Sequence, residues 1–293
     1  MARRMDWIGL IVAAGLLLGA TPNIADRTGA PRLVAAPLTL TRISYGPDPR
    51  QTIGLFRRGA AKRPLIVYLH GGGWSAGTPA AGEGSQAEHF TRTGHAYATI
   101  GYRFVGTVRV EDQLAEIAGA VARLARMPGI DGNRIVLIGH SSGGHLAAML
   151  GADPAWLEGA GVPLGAVRGV ILLDPAALDV TAVLGTGARG GAIDAFFRPA
   201  FGDDPARQWA LSPLAHAGAP NAAGWLMLHD VANPGSGWQC RALARDLVRA
   251  GAGPVYVQPV AGTSHVRLND DIGKPLDPAT AQIDAFLDQL LSG

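Results

Sequence analysis

Apolar positions along this chain fall into two recurring patterns. A continuous run at residues 64–69 has no polar alternation, the mark of a strand buried on both faces, and mainly apolar runs at 134–138, 167–173, 225–229 and 255–260 read as further strands. Between them apolar residues recur at helical spacing. Leu114, Ile117, Val121 and Leu124 do so within residues 111–126, residues 145–150 open a buried helix, and residues 239–250 form a helix closed by Gly251. Ile283, Phe286, Leu287 and Leu290 share one face of a terminal helix over residues 279–291. Near the start, residues 38–45 and 51–57 read as two strands of a hairpin about the turn Gly46-Pro47-Asp48-Pro49, and residues 96–102 as a further strand. Strands alternating with helices predict an α/β fold, a mainly parallel sheet with helices on both faces. Residues 177–210 match no strand, and their aromatic stretch 194–201 is expected to be a short helix in a small lid.

Composition narrows this picture. The 293 residues are 48% hydrophobic and 16% charged, which suits a packed core and argues against disorder. A formal charge of +2 without a basic run gives no sign of a nucleic-acid partner. The N-terminus differs: Arg3 and Arg4 precede an apolar run from Trp7 to Ala20, the layout of a secretory signal. Residues 1–25 are therefore read as a signal peptide, or a membrane anchor if uncleaved, ahead of a single α/β domain over residues 38–293. The expected location is periplasmic or secreted. The single cysteine, Cys240, excludes an intrachain disulfide and reads as a buried helix residue.

The chemistry centres on Gly139-His140-Ser141-Ser142-Gly143, placed between a predicted strand and a predicted helix. That context makes Ser141 a candidate nucleophile on a sharp, strained turn, with glycines two residues either side to avoid clashes. His70-Gly71-Gly72-Gly73-Trp74 follows another buried strand. Amides of Gly72 and Gly73, with that of Ser142, are suited to holding an oxyanion. The glycine run lacks the lysine and hydroxyl residue of a phosphate loop. Trp74 is read either as a wall of an acyl pocket or as a packing residue.

A serine hydroxyl needs a base. Of the eight histidines, His265 lies in the loop after the last predicted strand, where a parallel sheet gathers its strand ends. His70 and His140 are read as turn-shaping residues and His145 as a satisfied core histidine; among His89, His95, His216 and His229 no pair has metal-ligand spacing. For the orienting acid, Asp230 is expected, as the one carboxylate in the loop after residues 225–229. Asn233 in the same loop could orient His265 without charge, and Asp174 ends the preceding strand.

Together these residues resemble the α/β-hydrolases, and within them the hormone-sensitive-lipase-like and BD-FAE-type carboxylesterases, which include bacterial arylformamidases. The resemblance runs from about Leu38 to the C-terminus and rests on the two glycine motifs, on Leu211-Ser212-Pro213, and on Gly262-Thr263-Ser264-His265. It implies a serine nucleophile at Ser141, a base at His265, and an oxyanion hole from Gly72, Gly73 and the residue after the serine. It also implies a small-molecule ester as substrate and no metal or organic cofactor. Members commonly carry His-Gly-x-x-Asp after the strand that here ends His229-Asp230-Val231-Ala232-Asn233, so Asn233 stands at the family's acid position. An exported esterase is the function expected. The alternatives are an amide or arylformamide hydrolase and a binding protein that keeps the pocket without the chemistry.

Overall fold

The computed structural model describes residues 36–218 and 220–291; the expected signal or anchor over residues 1–25 lies outside them. Eight strands form one sheet: β1 (Leu38–Ser44), β2 (Thr52–Arg58), β3 (Arg63–Leu69), β4 (Ala96–Ile100), β5 (Ile130–His140), β6 (Val167–Leu173), β7 (Gly224–Asp230) and β8 (Val255–Val260). Their spatial order is β1-β2-β4-β3-β5-β6-β7-β8. The first two junctions, β1–β2 and β2–β4, are antiparallel and the rest parallel.

The apolar runs of the inner strands are explained by a core on each face, while the edge strand β8 is largely exposed. Leu65, Val67 and Leu69 of β3, Ile135 and Leu137 of β5, and Trp225 and Met227 of β7 point into one cluster. Ile66, Tyr68, Val136, Ile138, Leu226 and Leu228 point into the other. The first face is covered by α2 (Val110–Ala125), α3 (Ser142–Ala152), α4 (Pro154–Gly159) and α9 (Pro234–Arg249), among others. The second is covered by α1 (Ser85–Arg92), α10 (Arg267–Asp270) and α11 (Pro278–Leu291). Ile283, Phe286 and Leu287 are buried beneath α11, as the helical spacing predicts. Helices α1 and α4 were not evident in the sequence, being only two turns or less with few apolar positions to set a period.

Residues 177–210 form the expected lid as three short helices, α5 (Val180–Thr186), α6 (Ala192–Phe201) and α7 (Pro205–Ala210), followed by α8 (Pro213–His216). Arg207 of α7 donates to both carboxylate oxygens of Glu111 on α2, at 2.8 and 2.7 Å, and to the Ala200 carbonyl at the end of α6. Trp74 lies under this layer, fully buried, with its ring edge-on to Phe201 at 4.8 Å between centroids. It is a packing residue.

Candidate active site

Ser141 sits between β5 and α3 with φ +54° and ψ −119°, a conformation that L-residues other than glycine rarely adopt. The surrounding structure holds it there. Its amide donates to the Leu173 carbonyl at 3.0 Å, and its carbonyl accepts from the amides of His145 and Ala176, each at 3.2 Å. The flanking glycines are required by close approach. A Cβ on Gly143 would drive into the carbonyls of Leu69 and His70, and one on Gly139 into the Gly143 carbonyl. The turn can therefore press against the end of β3 only without side chains at these two positions. Strain of this kind costs about 1–3 kcal/mol and is found where function demands the geometry. Among the described residues, Ser141 Oγ forms no hydrogen bond within the protein.

The glycine run from the end of β3 lies alongside. A Cβ on Gly71 would come within 3.0 Å of the His140 carbonyl and 3.1 Å of Ser141 Cβ. Gly72 and Gly73 have φ +126° and +60°, and the loop is closed by the Ser75 and Ala76 amides donating to the Gly72 carbonyl. Gln113 of α2 donates to the Trp74 and Arg103 carbonyls, both at 2.8 Å, which fixes the loop's far end. No amide of Gly72, Gly73 or Ser142 donates to a protein acceptor among the described residues, and Ser142 begins α3, where the helix dipole favours negative charge.

His265, in the loop after β8, is paired with Asp174 and not with Asp230. Its Nδ1 donates to Asp174 Oδ2 over 2.6 Å. Its side chain is 44% exposed while that of Asp174 is 0% exposed, so the ring's other edge is open to a substrate. The expected acid, Asp230, instead caps its own loop by accepting the Ala232 amide at 2.9 Å. The reason is local backbone direction. Asp174 ends β6 with φ +43°, its amide held by the Leu228 carbonyl at 2.7 Å, and this turns its carboxylate toward the β8 loop. Asn233 does not orient His265 directly; its Nδ2 donates to Asp174 Oδ2 at 2.9 Å. Burial pushes the Asp174 carboxyl upward, but hydrogen bonds led by those from His265 and Asn233 outweigh it and hold its pKa below the ordinary value.

The remaining histidines of the motifs are scaffolding. Burial lowers the pKa of His70, His140 and His145 to about 4 in each case, with the neighbouring His265 adding to the effect on His140. Each neutral ring serves a backbone contact. His70 Nδ1 donates to the Gly71 carbonyl at 2.8 Å, and its ring stacks on Tyr102. His140 Nε2 donates to the His265 carbonyl at 2.8 Å and so fastens the His265 loop to the serine turn. His145 accepts from Trp74 Nε1 and donates to the Leu211 carbonyl, tying α3 to the lid's exit.

A cavity of about 360 Å³ opens beside this pair, lined by Asp174 and His265 together with apolar groups that include Ala176, Val183, Phe197 and Trp238. Trp238, on α9, carried no sequence signal, since a tryptophan at one turn of an amphipathic helix reads as packing. Phe196 of the lid stands at the other side, its ring 2.8 Å from where a Gly73 Cβ would be. Among the described residues no cluster of His, Cys, Asp and Glu is placed to hold a metal.

Comparison with known proteins adds to this geometry. Residues 53–159 match the BD-FAE family model. A stretch of 143 residues is 30% identical to esterase LipC of Mycobacterium tuberculosis, covering 44% of this chain and 35% of that protein. Another of 110 residues is 34% identical to the non-reducing polyketide synthase Preu6 of Preussia isomera, covering 34% of this chain and 5% of that protein. The matches thus span about a third of LipC and a small part of the synthase. Among solved structures, esterase B of Lactobacillus rhamnosus superposes with a TM-score of 0.69 at 20% identity, over 86% of this chain and 84% of that one. Esterase 2 of Thermogutta terrifontis, phosphonylated by sarin, superposes with a TM-score of 0.70 at 22% identity, over 86% and 95%. Its butyrate-bound form gives 0.66 at 24%, over 86% and 94%. The fold is that of these esterases, the α/β-hydrolase fold.

Proposed function

We propose that this chain, an α/β-hydrolase by fold, is a serine hydrolase that cleaves small carboxylic esters through an acyl-enzyme. The observation that carries the reading is the 2.6 Å bond from His265 Nδ1 to the fully buried Asp174 carboxylate, set beside the strained Ser141 turn. Asp174 fixes the His265 tautomer, leaving Nε2 free to accept a proton. Ser141 Oγ attacks the ester carbonyl as Nε2 takes its proton. The amides of Gly72, Gly73 and Ser142 receive the oxyanion, where neutral donors at a helix start are worth most because they need no reorganisation. The imidazolium then protonates the leaving alcohol, and water releases the acyl group by the reverse sequence.

The similarity to proteins named as esterases, one of them holding butyrate, supports an ester of short acyl chain. A pocket without chemistry would have no need of a buried, ionised carboxylate on a half-exposed histidine, which weighs against a purely binding role. The test is hydrolysis of p-nitrophenyl acetate and butyrate, with labelling by a fluorophosphonate, for the wild type and Ser141→Ala. Turnover and labelling lost together in the variant support the reading; a wild type inert to both esters and probe defeats it. The charged and apolar residues at 3–20 further support export, with N-terminal sequencing of material from the producing cell as the check.

A further inference from the structure

Asn233 occupies the position at which the resembled esterases carry an acid, yet its side chain still reaches the acid–histidine pair. Its Nδ2 donates to Asp174 Oδ2, the same oxygen that receives His265 Nδ1. Its Oδ1 accepts the Ser236 amide at 3.3 Å and caps α9. The partners fix the amide's orientation, because an ionised carboxylate only accepts and a backbone N–H only donates.

We infer that Asn233 is a positioning residue acting through Asp174: a neutral donor that holds the buried carboxylate with one oxygen on His265 and adds no second charge. This rests on the reading of Ser141 and His265 as nucleophile and base. A carboxylate at position 233 would lie within hydrogen-bond range of Asp174, and two such groups resist being ionised together. The other groups near the pair leave Asp174 as its source of negative charge. His140 is neutral and bonded to the His265 carbonyl. The Cys240 thiol on α9 is pushed up to about 12 by burial. Asp230, at the end of β7, is turned onto the Ala232 amide, and Asp270 of α10 and Arg241 of α9 act on His140 and Cys240 respectively. The carboxylate on His265 thus comes from the end of β6, and the side chain at position 233 serves as its clamp.

Asn233→Asp separates the two tasks of the side chain, since aspartate caps a helix as well as asparagine does. If residue 233 serves only to start α9, the variant keeps the wild-type Tm, kcat and pH profile, and the inference is overturned. If it is the clamp, the second carboxylate crowded against buried Asp174 lowers Tm, and the negative charge it adds favours the imidazolium. The acid limb of kcat/KM, and the NMR titration of the His265 ring, then move up by about one pH unit or more. Asn233→Ala, which removes the donor without adding charge, is expected to lower kcat about tenfold with KM little changed, the pattern of a misplaced catalytic group. The NMR titration needs no turnover. A wild type that hydrolyses no ester therefore sinks the esterase reading alone, while an unmoved His265 titration in Asn233→Asp sinks this inference alone.

Discussion

Replacing Asp174 with asparagine tests the site most sharply, because the structure contains a built-in control one strand away. Asp174 Oδ2 accepts from both His265 Nδ1 and Asn233 Nδ2 in a fully buried setting. An amide there turns either an N–H toward two donors or its one oxygen toward a histidine no longer stabilised by charge. The His265 ring gains by moving its proton to Nε2, the atom that accepts the Ser141 proton in the proposed mechanism. Loss of the correct tautomer is worth about 10⁴ in kcat, or about 5 kcal/mol of transition-state stabilisation. Asp230→Asn should do little. Among the described residues its carboxylate accepts only the Ala232 amide, and an asparagine oxygen can accept that amide equally well, so activity within about threefold of wild type is expected. The assay is p-nitrophenyl acetate hydrolysis by both variants, with thermal melting to verify folding. Collapse in Asp230→Asn with an active Asp174→Asn would refute the argument, and with it the claim that backbone direction at the end of β6 selects the acid.

Three further outcomes follow from the geometry. Gly143→Ala puts a methyl into the Leu69 and His70 carbonyls, so both fluorophosphonate labelling and Tm should fall; normal labelling would mean that the turn has room the structure does not show. His70 and His145, buried neutral with pKa near 4 against about 6.5 when unfolded, oppose folding in acid. The unfolded chain binds their protons below pH 6.5 and the folded chain does not until about pH 4, so stability declines as pH falls through this window. Each histidine contributes about 2 kcal/mol of that loss at pH 5, and urea midpoints at pH 7 and 5 should lie closer together in His145→Gln than in wild type. Arg207→Ala removes the bidentate tie between the lid and α2; its partners are partly exposed, so the stability cost should be about 1 kcal/mol, measured by urea unfolding, with larger esters gaining relative to acetate.

What the sequence alone determined about this protein was whatever depends on neighbours along the chain. Apolar runs announced strands, and β3 and β5 through β8 appear where those runs lie, with β3 buried on both faces and the edge strand β8 largely exposed. The serine turn was legible because glycines at 139 and 143 are the local cost of a turn that presses on β3, a constraint written within five residues. The glycine loop after β3 was legible as a local motif, and the placement of His265 followed from the rule that parallel strands share one edge. The carboxylate partner of His265 did not, because Asp174 and Asp230 both lie at strand ends on that edge and differ in nothing that local pattern records. The tertiary structure chose between them. The Leu228 carbonyl holds the Asp174 amide, the positive φ turns its side chain toward the β8 loop, and Asn233 arrives from α9 to complete the contact. Residues 174, 233 and 265 come together only when β6, β7 and β8 pair in register, so the direction of one carboxylate is a property of the assembled sheet.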